Sequence, residues 1–190
     1  MYYHASPTAD IRVLEPRRSN HDIPLVYFSK KRENVLVYLS NAIEKYCRDT
    51  GYIHWGKWTK WGPYGFRDGI QQLQEYYPNA LLETYGGVSG YIYHADSIQE
   101  TAQDIEIPDA AVSSIPVPVD GVEFVPDAYE AILDAERRGL LLVTRYENLS
   151  ANMLGWIRKT VQEQYDSAKD QPEYRYFLKN KFDFIKPAHS

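Results

Sequence analysis

Residues 1–46 read MYYHASPTADIRVLEPRRSNHDIPLVYFSKKRENVLVYLSNAIEKY. Met1 to Tyr3 is a short apolar start that ends at His4, the pattern of a strand. Ser6-Pro7-Thr8 then marks a turn. Ile11 to Leu14 fits a short strand or a helix, and Arg17 to Asp22 is a polar loop. Pro24 to Phe28 is a compact β-prone run with proline at its edge, so a second strand is expected there. Ser29 offers a helix N-cap. Val35, Leu39, Ala42, Ile43 and Tyr46 follow at helical spacing, so one helix is predicted from Ser29 to a stop at Gly51.

Working outward, residues 52–66 (YIHWGKWTKWGPYGF) read as an ordered loop or hairpin. Ile70, Leu73, Tyr76 and Tyr77 suggest a helix from Asp68 to Tyr77, ended by Pro78. After the Gly86-Gly87 turn, Val88 to His94 reads as a strand. Asp96 to Ser114 is polar and weakly patterned. Val117 to Val125 suggests a strand interrupted at Gly121, and Asp127 with Glu130 forms a capping box for a helix ending at Gly139. Leu140 to Tyr146 is a continuous apolar run, expected as a central strand. Ser150 caps a longer helix whose face carries Met153, Leu154, Ile157, Val161, Tyr165 and Ala168. The aromatic and basic tail from Gln171 is expected to pack back as a short helix or arm. The pattern is α+β. It fits a single domain over 1–190, with a core over 1–125 and a helix-strand-helix extension over 126–190.

Composition narrows the function. The net charge of −5 gives no basic excess, so a large nucleic-acid surface is not expected. Neither a secretory leader pattern nor an apolar run long enough to span a bilayer is visible, so the expectation is a cytoplasmic protein without a membrane partner. The one cysteine, Cys47, supports no disulfide framework. The histidines, His4, His21, His54, His94 and His189, make no helix-based metal pair, so no metal is expected. No dinucleotide-binding glycine fingerprint, phosphate-binding loop, nucleophile elbow or zinc-protease helix occurs. The 17 tyrosines point to a tyrosine-rich core or to aromatic-lined grooves. Trp55, Trp58 and Trp61, interleaved with Lys57 and Lys60, suit either base stacking or a buried cover on the sheet.

One constellation remains: Tyr3-His4-Ala5-Ser6 on the first strand, Val26-Tyr27-Phe28-Ser29 on the second, and Tyr38 on the helix that follows. This arrangement resembles the ADP-ribosyltransferase superfamily, particularly the poly(ADP-ribose) polymerases and the bacterial rifampin ADP-ribosyltransferases. The resemblance covers about the first 45 residues and extends to Tyr91-Ile92-Tyr93. It implies a split mixed or antiparallel sheet with flanking helices and a helical C-terminal part. It also implies NAD as substrate and transfer of ADP-ribose to an unknown acceptor with release of nicotinamide. His4, Ser6, Tyr27, Ser29 and Tyr38 would bind the nucleotide, with His4 at the ribose and the two tyrosines walling the nicotinamide. The catalytic acid by chain order is Glu100, with Glu123 and Glu147 as rivals. Ala5 stands where the family usually has glycine, which narrows access to the backbone. A non-catalytic ligand- or protein-binding module on the same fold is the alternative. A relative of the tRNA 2′-phosphotransferases, with Arg17, Arg18 and Arg32 as phosphate ligands, is a weaker one.

Overall fold

The computed structural model describes residues 1–18, 23–54, 64–101 and 105–185. The expected Trp-rich loop lies outside the described residues except at its ends, as do His21 and His189. The described strands are β1 (Tyr2–Ser6), β2 (Val13–Leu14), β3 (Val26–Ser29), β4 (Tyr64–Arg67), β5 (Ile70–Gln74), β6 (Gly90–Ala95), β7 (Ala110–Ser113), β8 (Val117–Pro118), β9 (Gly121–Val125) and β10 (Leu142–Thr144). The α-helices are α1 (Ala42–Thr50), α2 (Ala80–Tyr85), α3 (Ala128–Arg137), α4 (Ala151–Ser167) and α5 (Pro172–Lys181). The fold class is α+β. No helix among the described residues is long and apolar enough to cross a membrane. Contacts divide the chain into two compact units that interleave along the sequence: Met1–Leu39, Phe66–Gln71 and Tyr85–Leu141, and Ser40–Gly65, Gln72–Thr84 and Leu142–Ser190.

The first unit is built on a five-stranded sheet of order β7-β3-β1-β6-β9, antiparallel at every neighbouring pair. Side chains alternate across a strand, so each register assigns a face. Val26, Phe28, Tyr93, Ala95 and Ala111 share one face and form a core with Leu14 and Val117 from the short β2–β8 pair. Tyr93 anchors the covering loop, its hydroxyl donating to Thr8 O at 2.7 Å and accepting from Ile11 N. The opposite face carries Ile92, Val112 and Val125, all buried. A 3₁₀ helix over Glu33–Leu39 contributes Val35, Leu36, Val37 and Leu39 to the interior. Close approach explains one glycine: a Cβ on Gly121 would fall 2.3 Å from His94 Nε2.

In the second unit β10 pairs in parallel with residues 72–74 of β5. Its core joins Ile43 and Cys47 of α1 to Ile157, Val161 and Tyr165 of α4 and Tyr174, Phe177 and Leu178 of α5. Lys181 lies over the rings of Tyr46 and Tyr77 and pairs with Glu83. Buried rings and aliphatic side chains interleave in this core, and the rings add edge-to-face contacts to the area they bury.

Several expectations are corrected. The helix predicted from Ser29 is two elements. Ser29 ends β3, and its hydroxyl accepts from Lys31 N in a turn. The 3₁₀ helix follows, and α1 starts afresh at Asn41, whose side chain accepts from Ile43 N and Glu44 N. The helix predicted at Asp68–Tyr77 is the strand β5. Asp68 and Gly69 adopt φ of 53° and 74°, the paired left-handed conformation of a two-residue hairpin turn between β4 and β5. Gln71 and Leu73 then alternate inward at strand period. The run at Leu140–Tyr146 is an edge strand, half-buried, at one end of the order β10-β5-β4. The weakly patterned stretch before Ser114 contains β7, and α2 follows Pro78.

Candidate functional site

The candidate nucleotide-binding residues gather around β1 and β3. These strands share one register pair, Tyr3 opposite Ser29. Continued pairing would set His4 opposite Phe28 and Ala5 opposite Tyr27, but the ladder ends before them. The backbone of Tyr27 is instead met by a side chain: His4 Nδ1 lies 2.9 Å from Tyr27 O. A carbonyl oxygen only accepts, so Nδ1 carries the proton and neutral His4 presents Nε2 as an acceptor. Burial lowers the His4 pKa most, the Tyr27 carbonyl opposes this, and the Arg17 charge lowers it further. The ring is therefore held neutral. Arg17, whose charge acts on His4, is held by a backbone pair with Leu25, N to O at 3.1 Å in both directions.

The register separates the candidates by face. Tyr2, His4 and Ser6 lie on the Phe28 face, and ring contacts of Tyr2 and His4 with Phe28, at 6.4 and 6.0 Å, agree with this. Ala5, Tyr27 and Ser29 lie on the other. The 3₁₀ helix that carries Tyr38 covers this second face, since Leu39 occupies the space a Cβ on Gly90 would enter. Tyr38 itself is 41 % exposed, while its neighbour Val37 accepts from the buried Tyr85 hydroxyl at 3.1 Å. The sheet thus separates His4 from Tyr27 and from the 3₁₀ helix that carries Tyr38. Ser6 and Ser29 are both engaged locally, their hydroxyls accepting from Thr8 N and Lys31 N.

No protein-family model, curated protein or solved structure matches the chain.

The acid candidates differ in setting. Glu100 Oε1 accepts from the Tyr2 hydroxyl at 2.8 Å and lies 3.3 Å from Lys30 Nζ, whose charge also approaches the Tyr2 ring. Both contacts fall on Oε1, so Oε2 has no partner among the described residues. The Tyr2 hydrogen bond and then Lys30 hold the Glu100 pKa below the usual carboxylate value, so the group is ionised at neutral pH. Tyr2 and His4 are two residues apart on one face, so Glu100 is tied to the strand face that carries His4. Glu123, on β9, is gripped through both oxygens by Arg32, with Nε donating to Oε2 at 2.9 Å. That pairing lowers its pKa and occupies it. Glu147 falls in the second unit, in a one-turn 3₁₀ helix. No cluster of three or more His, Cys, Asp or Glu suited to a metal occurs among the described residues.

Sequence reasoning missed Tyr2 and Lys30 as parts of this surrounding, and named Arg17 only as a phosphate ligand and not as a neighbour of His4. The period-2 alternation of β1 could have found Tyr2, because it must share a face with His4. Lys30 and Arg17 depend on tertiary pairing that has no local sequence signal.

Proposed function

We propose that the first unit binds NAD where β1–β3 pairing stops and transfers ADP-ribose to an acceptor, releasing nicotinamide. The observation that carries this reading is the early end of the β1–β3 ladder at His4. It leaves a neutral imidazole whose Nε2 has no partner among the described residues, beside the point where β1–β3 pairing stops, as a suitable acceptor for a ribose hydroxyl. Tyr27 and Tyr38 belong to the other side, where aromatic rings suit the flat, cationic nicotinamide.

The chemistry follows from charge. Breaking the glycosidic bond returns an electron pair to the nicotinamide ring and leaves positive charge on the ribose. Glu100 is an ionised carboxylate with Oε2 available to accept from a ribose hydroxyl and oppose that charge. The acceptor then attacks the ribose carbon and loses its proton. Tyr2 acts here as a positioning residue, because it holds Glu100 by its other oxygen.

Incubation with NAD labelled in the nicotinamide tests the reading. Release should be seen and should be lost in His4→Ala and Tyr27→Ala. Absence of release from a folded wild-type chain would overturn the enzymatic part. A second reading, a non-catalytic nucleotide-binding module, is favoured by the Lys30–Glu100 pair, which neutralises the acid. It predicts thermal stabilisation by NAD without turnover.

A further inference from the structure

The five-stranded sheet treats its two edges differently. Outside β7, Thr101 N donates to Val112 O at 2.8 Å, and Thr101 Oγ1 accepts from Ser114 N at 2.8 Å, so chain covers that edge. Outside β9 no strand is paired among the described residues. An open edge is a template for another strand, and proteins that stay monomeric usually blunt it with short strands, charged side chains, proline or a bulge. β9 reads Gly-Val-Glu-Phe-Val, carries neither lysine nor proline, and its one charge, Glu123, is already neutralised by Arg32. Its two middle apolar residues are exposed on one face, Val122 by 57 % and Phe124 by 55 %. Glu123 points to the other face, where Arg32 holds it.

We propose that β9 is a homodimer edge, pairing antiparallel with β9 of a second copy about a twofold axis at Glu123. This register is self-complementary. Val122 of each copy lies opposite Phe124 of the other, an aromatic and a β-branched residue meeting across the strands. The axis brings the two Glu123 residues together on the opposite face. There each arrives with its own Arg32, so the charges form a balanced set rather than a repelling pair. The edge asks for a strand with apolar residues opposite Val122 and Phe124, and a second β9 supplies them while bringing its own acid already neutralised. A twofold isologous contact closes on itself, which limits the assembly to a dimer. Five paired residues make a small interface, so the dimer is a reversible one.

Sedimentation velocity on the full chain over about a hundredfold range of concentration reads the dimer directly. A monomer–dimer equilibrium is expected, with amide exchange at residues 121–125 slowing as concentration rises. Val122→Lys and Phe124→Lys should each weaken association by about tenfold or more, with circular dichroism unchanged. If both variants lose the fold, exchange in the wild-type chain decides alone. Concentration-dependent protection at residues 121–125 supports the proposal, and protection confined elsewhere overturns it. A monomer throughout the range, or a dimer equally strong in both lysine variants, also overturns it.

Discussion

His4 links the candidate site to the stability of the fold. Its folded-state pKa lies below the ordinary imidazole value of about 6.5, because burial disfavours the charged ring. The unfolded chain therefore takes up this proton first as pH falls. The stability that His4 supplies is present above about pH 6.5 and is lost as pH drops from there through the folded value. Urea unfolding at a series of pH values should show a steeper loss in the wild type than in His4→Asn. Glu100 has the same direction of shift from another cause, its hydrogen bond with Tyr2 and then Lys30. The acidic limb of nicotinamide release should lie below the usual carboxylate value. Lys30→Met and Tyr2→Phe should each move that limb upward, measured as kcat/KM against pH. Glu100→Gln should lower kcat by about 10²–10³-fold, as for loss of a group that opposes developing charge, with the NAD Kd nearly unchanged. An equal rise in Kd would assign Glu100 to binding alone.

At the element scale, caps and turns decided the structure more than hydrophobic spacing did. Asp127 was legible, since it accepts from Tyr129 N and Glu130 N and also receives Gly87 N at 2.9 Å. Ser150 was legible for the same reason, accepting from Met153 N. Asn41 was hidden inside a stripe of apolar residues that looked like one helix. Asn41→Ala should cost about 1 kcal/mol, read from the shift in urea midpoint at unchanged slope. β5 was misread because Ile70, Leu73, Tyr76 and Tyr77 match a helical stripe by chance. The Asp68-Gly69 pair was the stronger local signal, since both residues sit at positive φ. β7 escaped notice because four small and β-branched residues in a polar stretch carry too little pattern.

For the whole molecule, the α+β class was legible from β1, β3, β6, α3 and α4, whose patterns are strong and local. The pairing of β1 with β3 was not, because register depends on tertiary contact. That gap hid the fact that the His4 and Tyr27 side chains leave opposite faces of the sheet. The second unit depends on aromatic packing around Phe177, which is fully buried against Tyr46 and Tyr77. Phe177→Ala should destabilise the protein by about 3–5 kcal/mol in chemical unfolding. If NAD binds beside His4 and Glu100 assists its cleavage, the protein releases nicotinamide. The most direct measurement is nicotinamide release from labelled NAD by the wild-type chain and by His4→Ala, with both shown to be folded. Release by the wild type that His4→Ala abolishes is the expected result. No release by the wild type, or equal release by both, would contradict it.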